Sequence, residues 1–284
     1  MGILYVVATP IGNLNDITFR ALDILKNVDI IACEDTRQTL KLLNHFNIKK
    51  RLVAYHKFNE VEKSNSLIND LKNGLNIAVV TDAGTPCISD PGYVLVRDAH
   101  LNKIDVIVIP GASASVSALS ISGLDTKEFS FVGFLSTDNT KFNAEIDKIR
   151  KSKINTFVIY ESPKRIVKLF TKLVDCFPNS KVYLASDLTK IHERGFFGTI
   201  EEVYEDIKND PNIEKGEYVL ILQKEMEKEE KNEIISNEAL IIDNMVKNNC
   251  NIKDAINNIC ENNKNIKKND LKEASLNIKK IFDK

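Results

Sequence analysis

No apolar run in this sequence approaches the roughly 18 to 20 residues that a membrane-spanning helix requires, and no pair of cysteines is spaced CxxC. The five cysteines, Cys33, Cys87, Cys176, Cys250 and Cys260, are odd in number and scattered. That pattern argues against a disulfide framework and a zinc site, and for reduced thiols in a cytoplasmic protein with no metal. Neither sign of charge prevails: 39 Lys and Arg against 40 Asp and Glu leave a formal charge of −1. Net charge therefore announces no polyanionic partner, although a local basic patch stays compatible with it. A GxGxxG string after the first strand is missing, as is GxxxxGK followed by Ser or Thr, so nothing points to a dinucleotide or P-loop site. Nucleophile elbows and zincin helices are absent too, and His45, His56, His100 and His192 stand in no partnered motif that would suggest a hydrolytic triad.

What is present reads as α/β. The 284 residues suffice for two domains and a small third. The start, MGILYVVATP, has no charge before its apolar stretch and reads as a strand rather than a leader. Residues 3–8 (ILYVVA) empty into Thr9-Pro10-Ile11-Gly12-Asn13, after which Ile17, Ala21, Leu22 and Leu25 fall on one helical face. Asp29-Ile30-Ile31-Ala32-Cys33 stops at Glu34-Asp35-Thr36-Arg37, with a short helix expected through Leu40, Leu42, Leu43 and Phe46. After a helix around 61–73, residues 77–80 (IAVV) run into Thr81-Asp82-Ala83-Gly84-Thr85-Pro86, and residues 105–109 (DVIVI) run into Pro110-Gly111-Ala112-Ser113. Strands alternating with helices predict a mainly parallel sheet whose ligands sit beyond the carboxyl ends of its strands, where these four loops lie.

The rhythm changes in the second half. FSFVGFL (129–135), TFVIYES (156–162), KVYLAS (181–186) and EYVLIL (217–222) read as strands of a second α/β domain, separated by longer helices. Ser162 is expected to cap a helix with Pro163 as its first residue and Ile166, Val167, Phe170, Leu173 and Val174 as its buried stripe. The expected organisation is an N-terminal domain over 1–123, a second over 124–223, a charged linker over 224–236 and a small helical domain over 237–284. The last has helices near 237–248, 252–262 and 269–282. Residues 245–284 hold nine Lys against five acids, net +4, and form the clearly basic stretch.

The most unusual segment is 82–92, DAGTPCISDPG, with two Gly, two Pro and two Asp directly after a buried strand. Two readings stand for it. It is a rigid loop whose backbone groups approach a small ligand, or an ordinary connection with Asp90 as N-cap and Pro91 at the first helical position.

ATPIGN (8–13), CEDTR (33–37), YHKFNE (55–60), DAGTPCISDPG (82–92), PGASA (110–114), YESPKR (160–165) and KGEYVLIL (215–222) together resemble the successive signatures of the ribosomal RNA small subunit methyltransferase I family, a branch of the tetrapyrrole-methylase superfamily. The resemblance spans about residues 3–223, and 237–284 is similar to the helix-turn-helix-like C-terminal domain of many members. It implies two α/β domains with a cofactor cleft between them, and transfer of a methyl group from S-adenosylmethionine to the ribose 2′-hydroxyl of a cytidine in the decoding region of 16S rRNA, by a cytoplasmic homodimer. Carried over by position, Pro10, Asp82, Gly84, Thr85, Ile88, Ser113 and Ala114 would line the cofactor from the first domain, and Tyr160, Glu161 and Glu217 from the second.

For proton removal, His56, Asp35 and Glu60 are the candidates, the imidazole being the usual general base. Arg37 and Asn59 would contact RNA, Arg37 by holding a phosphate. Asp35 with Arg37 reads equally as a structural ion pair at the sheet edge. In the basic tail Lys264, Lys267, Lys268, Lys272, Lys279 and Lys280 could hold phosphates or form a solvated face of a docking domain. Rival readings are a small-molecule methylase acting on a tetrapyrrole or corrin precursor, a non-catalytic RNA-binding or ribosome-assembly protein, and a diphthamide-type protein methylase.

Overall fold

The computed structural model describes residues 1–225, 236–262 and 266–282. Lys264 and most of the charged stretch 224–236 lie outside them. Met1–Glu225 forms one compact unit and Met226–Lys284 a second.

The first half alternates β1 (Leu4–Val7), α1 (Phe19–Asn27), β2 (Ile30–Cys33), α2 (Thr36–His45), β3 (Arg51–Ala54), α3 (Glu60–Lys72), β4 (Ile77–Val80), α4 (Tyr93–Leu101), β5 (Val106–Ile109) and α5 (Ala114–Ile121). The strands make a five-stranded sheet in the order β3-β2-β4-β1-β5, and every pairing is parallel. Parallel pairing needs a crossover between strands, and it sends all five carboxyl ends to the same edge. The central β2 and β4 are buried at every position, as continuous apolar runs covered on both faces should be. β3 was not expected: it is four residues long, half-exposed and at the sheet edge, so neither an apolar run nor an alternation marks it.

β6 (Phe129–Phe134), α6 (Asn139–Lys151), β7 (Thr156–Glu161), α7 (Ile166–Cys176), β8 (Lys181–Ser186), β9 (Arg194–Thr199), α8 (Ile200–Lys208) and β10 (Tyr218–Gln223) follow. They build a second sheet, β6-β7-β10-β8-β9. It is mixed: β6 runs parallel to β7, and the other pairs are antiparallel. Sequence reading missed β9, whose RGFFGT carries two glycines on an exposed edge.

The helix after β7 departs from expectation in its first turn. Pro163–Arg165 is a 3₁₀ turn, and the α-helix starts at Ile166. Ser162 makes no capping bond because its backbone N–H and hydroxyl both turn to the Glu161 carboxylate. The stripe Ile166, Leu169, Phe170 and Leu173 is buried, contributing about 2 kcal/mol per side chain as an upper estimate. Val167 and Val174 only pack against that core.

The expected boundary at 123/124 falls between α5 and β6, yet one apolar cluster crosses it. Ile11, Ala118 and Leu119 pack with Val158, Ala185, Val219 and Ile221, so the two sheets share a core. In the second unit α9 (Asn237–Asn248), α10 (Ile252–Asn262) and α11 (Lys268–Phe282) close around Ile241, Ile256, Ile259, Leu271 and Ile278. Asn249 ends α9 in the left-handed conformation, one asparagine tolerates well.

Candidate functional site

Because the first sheet is parallel, the loops after β1, β4 and β5 emerge side by side, and side-chain hydroxyls lace them together. Thr9 and Gly84 exchange backbone hydrogen bonds, 2.9 Å from the Thr9 N–H and 3.0 Å from the Gly84 N–H. The buried Thr9 hydroxyl donates to the Thr81 carbonyl at 3.1 Å, and the Thr85 hydroxyl donates to the Ala112 carbonyl at 3.2 Å. Gly84 sits at φ +84°, and a Cβ there would come within 3.3 Å of Ile11. A side chain would be strained in conformation and crowded in space.

From the second sheet the carboxyl end of β7 and the amino end of β10 arrive together, since antiparallel pairing sets Tyr218 opposite Glu161 and also opposite Ser186. These edges enclose a cavity of about 470 Å³, lined by Ile11, Glu34, Asp82, Ala83, Gly84, Thr85, Ile88, Ser89, Asp90, Ser113, Ala114, Phe134, Tyr160, Glu161, Ser162, Pro163, Leu188, Glu217, Tyr218 and Val219. Its size suits a small-molecule ligand.

Nine of the ten residues expected at a cofactor line this cavity: Asp82, Gly84, Thr85, Ile88, Ser113, Ala114, Tyr160, Glu161 and Glu217. Pro10 does not. It is buried, and its neighbour Ile11 supplies the wall. Asp90, Phe134, Ser162 and Leu188 also line it and were not expected there, whereas Glu34 of the CEDTR motif, expected just beyond a strand end at the cleft, lines it as well. Asp90 stands within the DAGTPCISDPG motif, ten residues beyond the end of β4, and its place in that loop was the available signal.

The electrostatics of the lining are one-sided. Five carboxylates face the cavity, and no Lys or Arg is among the lining residues. Two of the five are neutralised from behind. Glu161, its side chain 1% exposed, pairs with Arg165 at 3.1 Å and accepts from the Ser162 N–H at 2.7 Å. Glu217 pairs with Lys190 at 3.0 Å, a lysine also held by Asp187. Glu34, Asp82 and Asp90 have no such counter-charge among the described residues. Burial raises all three carboxyl pKa values, most for Asp90, which is pushed up to about 6 by burial first and the Glu34 charge second. Such a site repels phosphates and suits a cation.

Of the residues expected to move a proton or contact RNA, none lines the cavity. Asp35 caps α2 by accepting from the Arg37 N–H at 2.8 Å and is gripped by the Arg37 guanidinium at 2.6 Å. Those bonds hold its carboxyl down at about 2, and its own N–H donates to Asp82 at 3.1 Å. Arg37 is exposed. His56 follows β3, with its backbone N–H bonded to Asn59 Oδ1 at 2.9 Å and its Nε2 3.3 Å from Asn59 Nδ2; its Nδ1 is buried without a partner. Glu60 opens α3. Lys267, Lys268 and Lys272 are exposed in the second unit, Lys268 bonding Asn257 at 2.9 Å.

Asp90 does not cap the following helix. The cap is Gly92, at φ 134°, where a Cβ would meet the Cys87 sulfur at 2.6 Å. The hydrogen bond to the helix that Gly92 cannot make comes from Tyr55, whose buried hydroxyl accepts from the Leu95 N–H at 3.2 Å and lies 3.0 Å from Ser64 Oγ.

Residues 3–204 match the family described as tetrapyrrole (corrin/porphyrin) methylases. A ribosomal RNA small subunit methyltransferase I from Halalkalibacterium halodurans is 46% identical over 233 residues, 82% of this chain and 80% of that protein. A protein of the same name from Vibrio cholerae is 47% identical, covering 78% and 76%. Another, from Buchnera aphidicola subsp. Schizaphis graminum, is 38% identical over 97% of this chain and 96% of its own. Among solved structures, uroporphyrin-III C-methyl transferase from Thermus thermophilus complexed with S-adenyl homocysteine superposes with a TM-score of 0.54 at 19% identity, covering 78% and 97%. Diphthine synthase does so with 0.56 at 14%, covering 79% and 90%.

Proposed function

The chain belongs to the ribosomal RNA small subunit methyltransferase I family of tetrapyrrole methylases, and from that premise we propose that it transfers a methyl group from S-adenosylmethionine to the ribose 2′-hydroxyl of a cytidine in the decoding region of 16S rRNA. The observation that carries this reading is the cavity lined by five carboxylates and no basic residue. S-adenosylmethionine, when bound, supplies a methyl group already activated on a positively charged sulfur. A dinucleotide or nucleoside triphosphate would meet the acid lining with its phosphates, and the sulfonium meets it with opposite charge.

The chain's own part is to bind, orient and exclude water. The laced loops at Thr9, Gly84 and Thr85 present backbone N–H and C=O groups at close range, and Ser113 and Ala114 keep the start of α5 small enough to admit a ligand. Tyr160, stacked edge-on against Phe131 and Phe134, gives a rigid apolar wall. Holding the ribose oxygen in line with the methyl–sulfur bond supplies much of the acceleration. Arg37, Asn59, Lys267, Lys268 and Lys272 are the proposed RNA contacts, their cationic members engaging phosphates. A homodimer is the proposed assembly. β5 is an edge strand with Ile107 and Val108 exposed, and α5 exposes Val116 and Ile121, an apolar edge that pairing would cover; a monomeric mass in solution would refute it. No described helix is long and apolar enough to cross a membrane, and the proposed location is the cytoplasm.

The test is to incubate the protein and labelled S-adenosylmethionine with small ribosomal subunits from a strain lacking the modification, and with a porphyrin precursor in parallel. Label on one ribose of a cytidine in the decoding region is expected. Label on the porphyrin, on protein, or on no RNA refutes the reading.

A further inference from the structure

We propose that Asp90, projected into the cavity by the strained loop after β4, is the group that takes the proton from the substrate hydroxyl, with Glu34 tuning it. This inference rests on the methyl-transfer reading above and assigns the proton acceptor that reading needs.

Three observations converge on Asp90. First, it lines the cavity together with the loop residues Gly84 and Thr85 and with Tyr160 from the second sheet, whereas Asp35, His56 and Glu60 do not. Second, among the described residues its carboxylate is held in no ion pair, although it accepts from the Thr81 hydroxyl. Of the five acids at the wall, Glu161 and Glu217 are in ion pairs, Asp82 accepts from the Asp35 N–H and Glu34 accepts from the Thr81 hydroxyl at 3.1 Å. Asp90 makes no ion pair among the described residues, and the helix-capping task that its position invites has passed to Gly92 and Tyr55. Third, the backbone around it is held in costly conformations. Cys87 and Ser89 both adopt left-handed φ, 70° and 67°, and the Cys87 N–H closes the turn onto the Pro91 carbonyl at 3.3 Å. Non-glycine residues in that region are strained and persist where the surroundings over-determine them.

The surroundings poise the group. Burial and then the negative Glu34 raise the Asp90 carboxyl to about 6, Asp82 adds to the rise, and the Thr81 hydroxyl opposes it. Tyr160 faces Asp90 from β7, and Cys87 from its own loop, where Glu60 also acts on the thiol. His56 opposes the rise that burial imposes on Glu34. The cations Arg165 and Lys190 stay bound to Glu161 and Glu217. A carboxylate titrating near 6 is a stronger base than an ordinary one and is still ionised at neutral pH.

In the step, a bond forms between the ribose oxygen and the methyl carbon as the methyl–sulfur bond breaks and its electron pair returns to sulfur. The ribose O–H bond breaks, and its proton passes to an Asp90 carboxylate oxygen. The positive sulfur and the negative Asp90 carboxylate are both neutralised, so the step leaves the net charge of the cavity unchanged.

The experiment measures single-turnover methyl transfer to unmodified small subunits from pH 5 to 9, alongside S-adenosylhomocysteine affinity, for the natural protein, Asp90→Asn, Asp90→Glu and Glu34→Gln. The natural protein should gain rate about tenfold per pH unit below about 6 and level above it. Asp90→Asn should lose roughly 10²- to 10⁴-fold in rate, keep its S-adenosylhomocysteine affinity and lose the acid limb. Asp90→Glu should retain part of the rate with the limb present. Glu34→Gln, by removing a like charge, should move the limb to lower pH. The proposal is overturned if Asp90→Asn keeps the natural rate or limb, if its loss follows lost affinity, or if Glu34→Gln leaves the limb in place. Failure of the natural protein to methylate RNA would sink the reading beneath it instead, and this inference with it.

Discussion

Replacing Arg165 by alanine leaves the Glu161 carboxylate in the cavity wall without its counter-charge. The Glu161 side chain is 1% exposed and that of Arg165 35%, and the same guanidinium donates to the Leu135 carbonyl at 2.9 Å. Breaking a buried pair from one side costs about 3 to 5 kcal/mol. With a third of the arginine open to water, screening reduces the expected loss to about 2 to 3 kcal/mol. In a Glu161→Gln background no charge is stranded, and the same replacement should cost only the hydrogen bond to Leu135, about 1 kcal/mol. The coupling between the two positions is then about 1.5 kcal/mol. Urea unfolding at neutral pH measures it: at a slope near 3 kcal/mol/M the single Arg165→Ala variant should shift its midpoint down by roughly 0.7 to 1 M. A coupling under about 0.5 kcal/mol, within ordinary additivity, would refute the claim that Arg165 exists to neutralise Glu161. The same variant should bind S-adenosylhomocysteine with altered affinity, since a free negative charge then faces the cavity.

Thr85→Arg should abolish S-adenosylhomocysteine binding in calorimetry by filling the cavity while circular dichroism stays unchanged; unaltered affinity would show that this loop lies away from the ligand. Asp90→Asn should raise stability at neutral pH. The folded carboxyl titrates at about 6 against roughly 3.9 unfolded, so Asp90 contributes stability below pH ~4 that is lost as pH rises through about 6. Discounted for its partial exposure, the gain of the asparagine variant over the natural protein should grow by about 1 kcal/mol between pH 4 and 7, and a constant difference would contradict this. Tyr55→Phe should destabilise by about 1 to 2 kcal/mol in denaturant, because Leu95 and Ser64 lose their buried partner; a change under ~0.3 kcal/mol would mean that the hydroxyl does not act as the helix cap. Replacing Lys267, Lys268 and Lys272 together with alanine should lower the salt dependence of RNA binding by about 2 in log–log slope, and an unchanged slope would remove them from the interface.

Much of the site is legible in one dimension because the loops of the first sheet that are expected to hold the cofactor each begin where an apolar run ends. A buried parallel strand must be such a run, and its end is where the loop begins, so ILYVVA and IAVV point straight at their loops. DVIVI does so by apolar composition alone, because β5 is an edge strand with Ile107 and Val108 exposed. The edge strands β3 (RLVA) and β9 (RGFFGT) escaped because, unlike the equally exposed β5, they are not continuous apolar runs. Asp90 escaped as a wall residue for another reason: SDPG satisfies the local rules for a capped helix start, and only the left-handed Cys87 and Ser89 and the helix beginning at Tyr93 show that the carboxylate points elsewhere.

Composition, strand-end motifs and spacing by themselves determined the α/β class, the polar loops and the helical tail, since those follow from periodicity and turn chemistry acting over a few residues. Tertiary structure decided which of those residues meet. The direction of β7 against β10 brings Glu161 beside Tyr218 across 57 positions of chain, and the pairing of Arg165 and Lys190 with two acids leaves Asp90, Glu34 and Asp82 as the uncompensated charge. Both depend on strand order and on the distance between groups remote in sequence, and Coulomb energy and solvent exclusion are set by distance in space alone.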